Sequence, residues 1–256
     1  MFTLNHFILF GASVAIIIAF ILIQKKYNFS YEVNLKALFV VGIVSEMVKI
    51  MCNMVSVTGE TYETSGTYLL QDNLPFQLCS MQVIFVFLLM FFIKKESTKQ
   101  VLLQFMFPTM CAGASFSLLI PTEGVDFANP QTYQYFIYHA YIIAFAINLV
   151  RTRTIKVTWR TLFRNIAMLF GFSVLAIYAN SALQASSPNF MFVSRPPLDG
   201  LPILNLNHGW YGYYFKLIAF ATAMMAIFHT PFIIWEKKRA EKELEAASHK
   251  AEQSAA

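Results

Sequence analysis

Charge in this chain is confined to short clusters, and between them lie seven stretches that hold almost none. That pattern leaves few folds open. Of the 256 residues, 57% are apolar, 26 are Phe and only 13% are charged, too few for an ordinary soluble domain. A helix needs ~20 apolar residues to cross a bilayer. Seven stretches fit: Phe7 to Ile23, Lys36 to Val55, Phe76 to Ile93, Val101 to Ile120, Tyr133 to Val150, Leu162 to Leu183 and Tyr211 to Trp235. The first and third are short. The expectation is an all-α polytopic membrane protein with about seven transmembrane helices in residues 1–235, followed by a charged tail over 236–256.

The basic residues set an orientation. Lys25 and Lys26 follow the first span, and Lys94, Lys95 and Lys99 the third. Arg151, Arg153, Lys156, Arg160 and Arg164 follow the fifth, and Lys237, Lys238 and Arg239 the seventh. The alternate loops carry acids, namely Glu60, Glu63, Asp72, Glu123 and Asp126, with Arg195 the main exception. The positive-inside rule then predicts an external amino terminus and a cytoplasmic carboxyl terminus, consistent with an odd span count. The net charge of +5 is a topogenic signal and no reason to expect nucleic acid as a partner. The first span has no basic region before it and no small-residue cleavage pattern after it, so it reads as a retained helix. Charge spacing in the tail, such as Lys238 with Lys242 and Glu241 with Glu245, reads as a solvated helix extending the last span.

Polar side chains in lipid are costly, so those that remain mark a cavity, a pathway or a packing contact. Cys79 lies roughly 6 Å past the outer start of the third span, and His139 roughly 9 Å down the fifth, at ~1.5 Å per residue. Asn180 closes the sixth span on the same side. The loop before the seventh span brings Asn189, Arg195, Asn205, Asn207 and His208. These residues can converge on one outward-facing pocket. His229 is ~27 Å of helical rise from Tyr211, too deep to join them, and is read as structural.

Cys79 and His139 form the pair with chemical potential. A thiol becomes a strong nucleophile once a base takes its proton, and a neutral imidazole at similar depth is the usual base. The plain alternative is a small packing cysteine, the reading given to Cys52 and Cys111. Free thiols are expected throughout, because membrane-buried cysteines seldom meet bridge geometry. Glu46 and Lys49, at i and i+3, share a helix face and can pair. They read equally as a structural ion pair and as a phosphate or carboxylate anchor in which Glu46 positions Lys49.

These residues also carry a resemblance. The Leu74-Pro75-Phe76-Gln77-Leu78-Cys79 run resembles the start of the third span in the YwaF / transmembrane protein 164 family. Tyr135-Phe136-Ile137-Tyr138-His139 is similar to that family's aromatic-histidine segment. So are Pro188-Asn189-Phe190-Met191-Phe192 with Arg195-Pro196-Pro197, and Gly209-Trp210-Tyr211 further on. The family pattern has His where this chain has Gln77, so no role of that histidine carries over.

The resemblance implies a lipid acyltransferase of the cell membrane in which Cys79 accepts the acyl group and His139 is the general base. A membrane phospholipid and a lysophospholipid-like acceptor are the implied partners, with no cofactor and no metal. Gln77, Asn180, Asn189 or backbone amides near Pro75 are candidates for the oxyanion site. Lys49 and Arg195 are candidates for the lipid phosphate, and His208 for a headgroup contact. The main alternative is a transporter or binding protein for a small amphiphile, using the same pocket with Glu46 and Lys49 as its coupling pair. A zinc hydrolase would need at least three convergent ligands, and only Cys79, His139 and His208 are candidates.

Overall fold

A computed structural model of the protein describes residues 3–57, 66–121, 124–184, 187–198 and 200–255, with side chains through Ser248. Glu60, Glu63 and Glu123, which entered the orientation argument, lie outside the described residues. Seven α-helices account for nearly all of the described secondary structure: α1 (Leu4–Tyr27), α2 (Tyr31–Asn53), α3 (Leu78–Phe91), α4 (Glu96–Leu119), α5 (Pro130–Arg151), α6 (Trp159–Ala182) and α7 (Gly209–Ala255). Five of them, α1, α4, α5, α6 and α7, are long and apolar enough to cross a membrane. The other two deviate for physical reasons. Helix α2 carries Glu32, Lys36, Glu46 and Lys49. Helix α3 has only 14 residues, ~21 Å of rise against a hydrocarbon core of ~30 Å, because Pro75 and a 3-10 turn at Gln71–Asn73 delay its start.

An addition to the all-α expectation is a small antiparallel hairpin, β1 (Met54–Val57) with β2 (Gly66–Leu69), in register Val55 opposite Tyr68. Its strands are short runs of β-branched and aromatic residues directly after α2, which is why α2 ends two residues before the expected span. Local chemistry sets the other helix ends. Ser30 caps α2. Asn129 accepts the Gln131 amide ahead of Pro130, the first residue of α5. Thr158 and Thr161 form a reciprocal capping box on α6.

Side-chain hydrogen bonds show that the helices alternate in direction. At one end, His6 at the start of α1 donates from Nε2 to the Leu118 carbonyl in the last turn of α4 (2.9 Å), filling an acceptor that has no partner within its helix. Lys49 and Asn53 near the end of α2 reach Ser80 at the start of α3 and Gln131 at the start of α5, both at 3.0 Å. At the other end, Gln24 of α1 and Asn34 of α2 exchange amide bonds, and Gln100 of α4 donates to Thr154 after α5 (3.0 Å). His229 of α7 bonds Thr161 of α6 (3.2 Å) and packs on Phe107 of α4, the structural role expected of it. The basic clusters after α1, α3 and α5 therefore gather at this second end.

Helix α5 is the hub, packed on α1, α2 and α4, while α4 also touches α3, α6 and α7. Both are buried along most of their length, with Phe105, Phe107, Phe145 and Ile142 essentially inaccessible. Helix α7 runs unbroken into the tail, where Glu243 pairs with Arg153 beyond α5. That contact is half-exposed and contributes little to stability.

Pro108 lies inside α4 and, lacking an N–H, leaves the Gln104 carbonyl without its helical donor. Asn165 of α6, fully buried, fills the gap with its side-chain amide at 2.6 Å. Asn165→Leu is therefore expected to cost about 1–3 kcal/mol by stranding that carbonyl. The same change in a Pro108→Ala background costs less, since an alanine in place of the proline supplies the amide that restores the helical bond. A double-mutant cycle on thermal melting in detergent reads the coupling, expected at about 1 kcal/mol. Additive losses would remove Asn165 from this role.

Candidate functional site

A cavity of about 630 Å³ opens at the end where α2, α4 and α6 finish and α3, α5 and α7 begin. Cys79 and His139 both line it. Cys79 is the second residue of α3. Its thiol lies against the Ser117 hydroxyl of α4 and over Gly113, where an added Cβ would meet Sγ at an ordinary 3.7 Å. The amides of Leu78, Cys79 and Ser80 belong to the first turn of α3 and have no intrahelical acceptor.

His139 is 6% exposed and its Nδ1 sits 2.6 Å from the Tyr135 carbonyl. A carbonyl only accepts, so the neutral ring carries its proton on Nδ1 and keeps the Nε2 lone pair. The Tyr135 ring holds the imidazole at 4.3 Å between centroids, and the Tyr135 hydroxyl donates to the Ser117 carbonyl at 3.0 Å. Tyr138 donates to the Cys79 carbonyl at 2.8 Å. Helix α5 thus fixes both the imidazole and the start of the helix that carries the thiol. Both tyrosines belong to the aromatic-histidine segment, yet neither was given a site role from the sequence, although their spacing of four and one residues from His139 places them beside it. Ser80 and Ser117 were also missed, because a serine in an apolar helix has no distinctive pattern.

Glu46 and Lys49 pair at 2.6 Å in the cavity wall, with side chains 18% and 13% exposed. The Lys49 ammonium also donates to Ser80, next to Cys79. Arg195 stands at the cavity mouth, and among the described residues no ion pair engages its guanidinium.

The three amide side chains expected as oxyanion donors are occupied elsewhere. Gln77 lines the cavity, yet its NH₂ donates to the Asn189 carbonyl (3.1 Å) and its oxygen accepts the Met191 amide (2.9 Å). Asn189 also reaches the wall, but its oxygen accepts from Ser194 and Arg195 and its nitrogen donates to the Arg195 carbonyl. Asn180 is buried behind the cavity, accepting the Phe190 amide at 2.9 Å and donating to Ser194 at 3.0 Å. These residues hold the 189–195 segment, in which Met191 and Phe192 adopt positive φ angles of 52° and 56°. Trp210 and Tyr213 of α7 complete the fastening through the Val193 and Arg195 carbonyls (2.9 and 2.8 Å). Holding two non-glycine residues in the left-handed region needs this many ties. The result is a fixed wall formed by Met191, Phe192, Val193 and Arg195.

His208 does not line the cavity; its Cβ packs by Gly212 in the first turn of α7. Among the described residues, no group of three or more His, Cys, Asp and Glu side chains is placed to hold a metal ion. Cys52, Cys79 and Cys111 are all free.

No curated protein and no solved structure matches the chain. A family model described as the TMEM164 family matches residues 1–229, a stretch that contains every residue lining the cavity, together with the Pro-Asn-Phe-Met-Phe and Arg-Pro-Pro segments. With its bundle of apolar helices, this chain is therefore a multi-pass membrane protein and belongs to the TMEM164 family.

Proposed function

We propose that the protein moves an acyl chain between a phospholipid and a lysophospholipid-like acceptor through a thioester on Cys79, with His139 as general base. The observation that carries this reading is a thiol and an imidazole with an available Nε2 lone pair on one cavity, polar on one side and apolar on the other. His139 Nε2 takes the thiol proton, and Sγ attacks the ester carbonyl of the donor lipid. As the C–O bond to glycerol breaks, the imidazolium returns that proton to the departing alkoxide. The acceptor hydroxyl then gives its proton to His139 and attacks the thioester, and the thiolate leaves to be reprotonated. No redox partner is needed.

With Gln77, Asn180 and Asn189 committed to the loop, the tetrahedral oxyanion falls to the first-turn amides of α3 and the Ser117 hydroxyl. Arg195, outside any ion pair among the described residues, is the better phosphate ligand, and Lys49 the more restrained one. Under the orientation read from the basic loops, the cavity faces the outer leaflet of the cell membrane. The test uses purified protein in liposomes with an isotopically labelled donor phospholipid and an unlabelled lysophospholipid. The expected result is label transfer, together with a hydroxylamine-sensitive acyl mass on the Cys79 peptide. Transfer without that adduct, or no transfer from well-folded protein, would sink the thioester mechanism.

A further inference from the structure

The cavity is divided by polarity, and the division has a length. Glu46, Lys49, Asn53, Asp72, Gln131 and Arg195 line one side. The other side is a mainly apolar lobe between α4, α6 and α7 lined by Leu169, Leu217, Ile218, Ala221, Met224 and Met225, with the Ser173 hydroxyl paired to Tyr214. Cys79 stands between them, its Sγ over Gly113. The lobe's lining extends along α4 from Gly113 to Thr109, ~6 Å of helical rise, and along α7 from Leu217 to Met225, ~12 Å. There it ends on buried side chains: Met225 and Thr109 are each 2% exposed and Leu169 is 7%, and Met225 and Leu169 belong to the packed core beneath. At about 630 Å³ the whole cavity matches a site for one drug-sized molecule, so the lobe has room for one chain beside a headgroup.

We infer that this lobe takes a single acyl chain and that Met225, with Leu169 and Thr109, forms a floor that sets the chain length the protein accepts. Naming the occupant an acyl chain rests on the acyl-transfer reading; the floor rests on the geometry alone. A chain that fits places its carbonyl end beside Cys79, whereas a longer one meets the core and holds the carbonyl short of Sγ. Rejection by a close-packed pocket wall is worth roughly tenfold or more per misfitting methylene.

The test separates the two ideas. Butyl, octyl, dodecyl and hexadecyl methanethiosulfonates form a mixed disulfide with a thiol and release methanesulfinate, requiring no acyltransferase activity. Purified protein with Cys52→Ser is labelled with each, and Cys79 modification is read by peptide mass spectrometry relative to butyl labelling of the same variant. The wild-type floor predicts a length beyond which relative labelling falls roughly tenfold. Met225→Ala should move that cut-off to longer chains, and Ala221→Phe to shorter ones. A flat series through hexadecyl, or a cut-off unmoved by the variants that elute as folded protein, overturns the proposal. Because the wild-type series is itself decisive, misfolding of one variant does not protect the idea. A clear cut-off without acyl exchange in liposomes would leave the floor standing and remove the transferase reading; exchange without a cut-off would do the reverse.

Discussion

His139→Ala is expected to lower lipid acyl exchange by about 10²–10⁴-fold, the usual contribution of a positioned general base, with normal yield and elution in detergent. The side chain is buried, fixed by Tyr135 and touches the cavity, so its removal takes away a base together with some packing, and exchange is compared per amount of protein that elutes folded. Cys79→Ser should be at least as severe, because a serine hydroxyl in the same place has no thiolate to offer and His139 alone must activate it. The two losses should not add. Once the nucleophile is gone, removing its base changes little, as happens when residues act as one unit. The decisive measurement is the double variant alongside both singles, with Cys79 acylation followed by peptide mass. Exchange retained in either single variant, or losses that multiply in the double, would place the chemistry elsewhere.

Breaking the Glu46–Lys49 pair should produce the largest change in stability. Glu46→Gln leaves the Lys49 ammonium in a mostly buried wall with Ser80 as its remaining partner. Stranding one member of a buried pair typically costs about 3–5 kcal/mol, whereas replacing both by apolar side chains of similar size is often near neutral. The Glu46→Leu, Lys49→Met double variant should therefore melt closer to wild type than Glu46→Gln does. The same variants separate function classes. If Lys49 serves the lipid phosphate, the folded double variant loses exchange. If the pair is structural, exchange survives. If the protein instead transports an amphiphile, uptake falls in the double variant and is untouched by Cys79→Ser. Equal melting of the single and double variants would mean that the pair is too well solvated to matter.

The sequence announced the bundle because lipid-compatible helices must be long, apolar and separated by charge. All seven helices overlap their expected spans, and the starts of α2, α5 and α6 follow from Ser30, Asn129 with Pro130, and Thr158, which act on neighbouring amides or fix neighbouring dihedrals. Cys79 and His139 stood out for a related reason, since ionisable groups are conspicuous in apolar helices, and both line one cavity. The hairpin was overlooked because Met54–Val57 continues the apolar character of α2.

Which polar side chains remain free to act was not legible. Gln77, Asn180 and Asn189 looked like unused hydrogen-bonding groups, and the structure employs all three to hold the 189–195 segment. The partner of Gln77 lies 112 residues away, so nothing local could reveal it. Ser117 and Tyr138 acquired their places in the same way, from where α4 and α5 set them against α3. Helix number and the starts of helices such as α2, α5 and α6 are thus properties of the chain's own periodicity and chemistry, set by interactions within a few residues. The shape of the cavity, its apolar floor at Met225 and the commitment of its amides were decided only when α3, α4, α5 and α7 packed, because a hydrogen bond and a cavity wall both need partners that the chain brings together from far apart.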